Sequence, residues 1–163
     1  MKKFMLKPCY IILAVLFFYS CKKDSSSDCI DDTYSYDFYS SKKIDTTTTN
    51  SGLSFKINPG NDLVFSYIHN GPECKNIADE EYTDRLVFQV AASSTSFQFQ
   101  NSQLADAMCL FIKYGFLTTP ALVINVGYIK GIKLSDTKWD IDMDVEIGGT
   151  VGRIILKKTF ILR

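Results

Sequence analysis

From about Thr33 to the C-terminus, apolar and polar residues alternate with period two, the signature of half-buried strands. Tyr34, Tyr36 and Phe38 alternate with Ser35 and Asp37, and Leu53, Phe55 and Ile57 alternate with Ser54 and Lys56. Asn58-Pro-Gly-Asn61 reads as a turn, since proline presets φ and glycine accepts a positive value. Leu63–Ile68 follows, so residues 53–68 predict a hairpin. Arg85–Val90 and Ser96–Gln100 repeat the alternation on either side of the turn Ala92–Thr95. The strongest pattern runs from Trp139 to Ile147, where every odd position is apolar and every even one is a carboxylate. A strand places Asp140, Asp142, Asp144 and Glu146 on one face at steps of about 6.6–6.8 Å, whereas a helix would scatter them. After the Gly148-Gly149 turn, Arg153–Leu162 returns with Arg153 and Lys157 opposite the acidic face and with Ile154, Leu156 and Phe160 beside Ile141 and Met143. A slip of one residue would set Asp144 against Ile154 or Leu156, so the register is strongly specified.

One stretch, Asn101–Met108, has the caps and helix formers for a turn or two of helix. Leu122–Leu134 is extended again, with Gly127 and Gly131 as candidate bulges. Seven to nine strands in some 130 residues predict an all-β fold, an antiparallel β-sandwich of Ig-like or related type. A small β-barrel is the alternative.

The first residues follow a different rule. Lys2, Lys3 and Lys7 precede the apolar run Ile11–Phe18, which has signal-peptide length; a bilayer span needs roughly 20 apolar residues. Tyr19, Ser20 and Cys21 come next, then Lys22-Lys-Asp-Ser-Ser-Ser-Asp28. This resembles the signal of bacterial lipoproteins, and the loose box before the cysteine followed by Cys-Lys-Lys-Asp is similar to small outer-membrane lipoproteins of the Bacteroidota. The resemblance implies a signal peptide at 1–20, palmitate-type acylation at Cys21, and a cell-envelope protein on the outer membrane, with the leaflet open. An ordinary secretory signal and a retained anchor are the alternatives. Residues 21–32 read as lipid anchor and flexible tether, and 33–163 as the sandwich domain.

The chain carries 18 basic and 18 acidic residues, which leaves no electrostatic footprint for nucleic acid. Removal of residues 1–20 takes three lysines away and leaves a net charge of −3, so membrane attachment falls to the acyl chains. Of five cysteines, Cys29, Cys74 and Cys109 then remain for an oxidising compartment; Cys74–Cys109 is the preferred bridge, no bridge the alternative. The lone histidine, His69 beside Asn70-Gly71, reads as a turn residue.

No catalytic motif stands out, no cofactor or metal site is called for, and the acidic face reads as solvated, cross-strand-paired carboxylates. A second cluster, Glu73, Asp79, Glu80, Glu81 and Asp84, reads as a solvated connecting loop. Tyr34, Tyr36, Tyr39, Tyr114 and Tyr128 are the candidates for stacking on a ligand. Asp45-Thr46-Thr47 resembles the short motif at which Bacteroidota attach O-glycans, which makes Thr46 a candidate acceptor. The expected function is a non-enzymatic binding or structural accessory lipoprotein that recognises a protein or glycan. The alternatives are a small envelope hydrolase with paired carboxylates and a fimbria-like assembly subunit that exchanges its last strand.

Overall fold

The computed structural model describes residues 29–74, 81–115, 118–148 and 152–163. The elements are β1 (Cys29–Ile30), β2 (Thr33–Thr49), β3 (Gly52–Pro59), β4 (Asp62–Asn70), β5 (Glu73–Cys74), β6 (Thr83–Ala91), β7 (Ser96–Gln100), α1 (Ser102–Asp106), β8 (Leu110–Tyr114), β9 (Leu122–Val123), β10 (Gly127–Ser135), β11 (Lys138–Gly148) and β12 (Gly152–Leu162). Hydrogen bonding runs in the order β7-β10-β11-β12-β2-β4-β6-β8-β9, with β3 added to β2. The path has two ends, so it is not a closed barrel. It doubles over at β12 and β2, and its two halves pack face to face as an all-β sandwich.

The period-two pattern explains why. Trp139, Ile141, Met143 and Val145 of β11 are fully buried and meet Phe38, Phe65, Phe88 and Phe111 from the other half in one core. Phe65 lies at its centre, stacked on Phe88 at 4.9 Å and edge-on to Trp139 at 5.5 Å. The β11–β12 register is the one the alternation demands: Met143 opposes Leu156, Asp142 opposes Lys157 and Glu146 opposes Arg153. The turn after β6 carries the chain from one half to the other, because β7 pairs with β10, and α1 brings it back to β8 with Leu104 buried.

Three expectations are corrected. Residues 53–68 do not form a hairpin with each other: β3 and β4 both pair with β2, β3 along Lys42–Thr49 and β4 along Thr33–Lys42. Ser41, at φ 55°, kinks β2 between these two ladders. Beyond the kink, the β2–β3 hairpin lays Ile44, Leu53, Phe55 and Ile57 against Val64, Val87 and Leu110, the side of the β4-β6-β8 sheet turned away from the main core. Second, β12 joins β2 in parallel, through Ile161↔Asp37 and Leu162↔Phe38 alone. Third, the stretch read as a tether contributes β1, which pairs with β5.

Gly131 is not a bulge. The shift in the β10 ladder falls between Lys133 and Ser135, while Gly131 makes room for the Phe97 ring. Gly127, at φ +112°, lies so close to β11 that an added Cβ would sit 2.1 Å from the Asp144 carbonyl oxygen. Gly127→Ala therefore combines backbone strain with a clash against main chain. A loss of about 2–3 kcal/mol is expected, and a urea melt reads it.

Candidate functional site

Along β2 and β4 the inward stripes change character towards one end of the sandwich. Phe38 is followed on the same face by Tyr36 and Tyr34, and Phe65 by Tyr67 and His69. Rings that end in a polar atom pack at the margin of a core and keep that atom near water. Antiparallel register then lines up two rows across the sheet. Tyr34, His69, Asp84 and Lys113 are successive partners across β2, β4, β6 and β8, and Tyr36, Tyr67, Leu86 and Phe111 form the row beneath.

Opposite these rows, β12 pairs with β2 only at Ile161 and Leu162, and its earlier residues meet Tyr36 through side chains alone, Phe160 edge-on at 5.6 Å and Lys158 over the ring. Here lies a cleft of about 730 Å³, with the tyrosines, His69 and Tyr82 on one side and Arg153 to Lys158 on the other. Its size falls within the range of about 300–1,000 Å³ typical of small-molecule sites.

The cleft wall is tightly organised. The Tyr34 ring stacks on His69 at 4.6 Å with the planes 4° apart, and Tyr82 meets His69 edge-on at 5.5 Å. The His69 imidazole lies between two carboxylates, Nε2 3.5 Å from Asp32 and Nδ1 3.6 Å from Asp84. Lys113 Nζ sits 3.2 Å from Asp84 and 3.9 Å from the Tyr82 ring centre. Burial pushes the Tyr67 and Tyr36 phenols up, with the neighbouring tyrosines adding to it, so both stay protonated as hydrogen-bond donors at neutral pH. Lys158 Nζ lies 5.8 Å over the Tyr36 ring and, among the described residues, has no carboxylate within 4 Å.

Of the five stacking candidates, the structure brings Tyr34 and Tyr36 together here and leaves the others elsewhere. Tyr39 is a half-buried residue opposite Val64, and Tyr114 ends β8 opposite Thr83. Tyr128 lies on β10 and donates to Asp142 Oδ1 at 3.0 Å, which holds its phenol above the ordinary value. Sequence reasoning missed Tyr67, His69, Tyr82, Lys113 and Lys158. His69 is not a turn residue but part of β4, and its two-residue offset from Tyr67 was the available signal.

The acidic face of β11 is paired across strands. Arg153 binds Asp144 with both Nε and Nη2, Thr159 donates to Asp140 at 2.7 Å, and Lys130 sits 3.2 Å from Asp142. In the second acidic cluster, Glu73 belongs to β5 and Asp84 to β6, while Asp79 and Glu80 lie outside the described residues. Thr46 is exposed on the β2–β3 hairpin. Among the described residues, no group of three or more His, Cys, Asp or Glu side chains is placed to hold a metal ion.

The bridge expected between Cys74 and Cys109 is not formed. Cys74 is bonded to Cys29, its register partner in the β1–β5 ladder, with the Cα atoms 4.0 Å apart. Cys109 is fully buried between α1 and β8, where burial pushes its thiol up and leaves it unreactive. Cys29 lies three residues before Asp32, whose carboxylate is 3.5 Å from His69 of the cleft wall. Cys21 lies outside the described residues, and among those described no helix is long and apolar enough to cross a membrane. Comparison with protein-family models, curated proteins and solved structures finds no match to this chain.

Proposed function

We propose that the chain is a lipid-anchored protein of the bacterial outer membrane, held through Cys21, that works as a non-enzymatic binding accessory and takes its ligand in the tyrosine-lined cleft. The cleft carries this reading: aromatic faces, phenol donors and fixed charges converge there around an open volume of about 730 Å³. The N-terminal pattern of lysines, a short apolar run and Ser20-Cys21 supports the anchor. The Cys29–Cys74 bridge supports an oxidising compartment. Because only seven residues separate Cys21 from Cys29, the anchor would hold the bridged end of the domain near the membrane surface. At about 3.3–3.6 Å per residue, that spacer reaches less than 30 Å.

Membrane fractionation with mass spectrometry of the mature N-terminus tests the anchor. The native protein is expected in the outer-membrane fraction, beginning at an acylated Cys21. The Cys21→Ser variant is expected to be lost from the outer-membrane fraction, because it has no thiol to carry the acyl chain. An unmodified Cys21, or a mature chain starting elsewhere, overturns the reading.

A further inference from the structure

We propose that the cleft binds an acidic saccharide, with a pyranose ring lying on Tyr34 and its acid group directed to Lys158. The inference rests on the cleft being the ligand site and adds the chemical class.

The argument begins with charge. Without residues 1–20 the chain is net acidic, yet the cleft lining includes Lys113 and Lys158 with Asp84 as its carboxylate, while Arg153 and Lys157 at its rim belong with Asp144 and Asp142 on the acidic face of β11. Low-dielectric walls focus such a field on whatever enters. Lys113 is paired with Asp84 and Arg153 with Asp144; Lys157 and Lys158 have no carboxylate within 4 Å among the described residues, and of these Lys158 shares the inward side of β12 with Leu156 and Phe160, while Lys157 stands opposite Asp142 on the acidic face. Lys158 is the cation left over, held above Tyr36 with its charge available to an incoming anion.

Ring geometry points to a sugar. One face of Tyr34 is taken by His69, while half of the side chain remains exposed. A single open aromatic face suits the C–H face of a pyranose, whereas a flat aromatic ligand gains most between two rings. The adjoining wall is rich in phenols, imidazole and carboxylate, which match ring hydroxyls as donors and acceptors. His69 Nε2 is buried against Asp32 at 3.5 Å without a hydrogen bond, so the imidazole serves as the fixed backing of the Tyr34 platform.

Calorimetry on the full-length lipoprotein in detergent tests this with oligogalacturonate, oligoalginate and a heparin-derived oligosaccharide. A carboxyl-reduced galacturonate oligomer of equal length and poly-glutamate serve as comparisons. At least one acidic saccharide is expected to bind, at least ten-fold more tightly than its neutral counterpart and more weakly as salt rises. Lys158→Gln is expected to remove that preference, bringing acidic and neutral oligomers to the same affinity, and Tyr34→Ala to weaken both. Thermal melts of both variants confirm that they fold.

Equal binding of neutral and acidic oligomers, lost in Tyr34→Ala, overturns the acid preference but leaves the cleft as a sugar site. Binding of poly-glutamate without any saccharide overturns the ligand class. Absence of binding to every probe overturns the proposal and the reading of the cleft together.

Discussion

Phe65→Ala is expected to cost about 3–5 kcal/mol and to leave the domain at the edge of unfolding at ordinary temperature. Phe65 is fully buried, and its ring touches both halves of the sandwich: Phe38 and Phe88 on its own side, Trp139, Phe97 and Phe160 on the other. Removing it loses the transfer energy of the ring and opens a cavity that rigid strands on both sides cannot close. Aromatic pairs add about 0.5–1.5 kcal/mol each beyond area burial, so the upper part of the range is the better expectation. A domain of this size has a total stability of only about 5–15 kcal/mol, so a urea midpoint should fall steeply. Val87→Ala is the informative contrast. Val87 is just as buried but belongs to the smaller cluster under the β2–β3 hairpin, and fewer atoms are removed. A loss for Phe65→Ala no larger than that for Val87→Ala would show that the two halves do not share one core.

Breaking the Cys29–Cys74 bridge ranks next. The sequence separation is 45 residues, and a cross-link closing a loop of that length restricts the unfolded chain by about 4 kcal/mol on the chain-entropy estimate. The Cys29→Ser/Cys74→Ser double variant should therefore unfold at a urea concentration lower by about 1.5–2 M. A second consequence is local. β1 is held to β5 by two residue pairs, too short a ladder to persist alone, so Asp32 should lose its position beside His69. Reductant should reproduce the variant's behaviour in the native protein and leave the double variant unchanged. Non-reducing peptide mapping gives an independent check, and a Cys74–Cys109 peptide would contradict the pairing outright.

The alternation of Trp139–Ile147 was enough to place the buried face of β11, and the return of Arg153–Leu162 was enough to set its register, because a one-residue slip would bury carboxylates. Tyr34 and Tyr36 were legible as a pair on one face for the same reason. The hairpin expected over 53–68 failed because a turn motif reports only that the chain reverses or kinks locally, not which strand lies alongside. Here the partner of both β3 and β4 is the long strand β2, and the kink at Ser41 carries no sequence mark that a non-glycine residue with positive φ could be read from. Cys29 was misjudged because Ser/Asp-rich surroundings look like a tether until a remote cysteine is brought opposite.

What residues 33–163 determined by themselves was period and polarity: strands throughout, one short helix, and the faces of those strands that must be dry. These are properties of neighbours along the chain, which the pleat sorts without reference to anything distant. Tertiary structure alone decided that β12 pairs with β2 in parallel and only at its end. That partial pairing leaves a cleft, and the register across four strands places Tyr34, His69, Asp84 and Lys113 in one row along its wall. Such pairings connect residues tens of positions apart. They are selected by how the two faces of the sandwich fit together, a condition no local window contains.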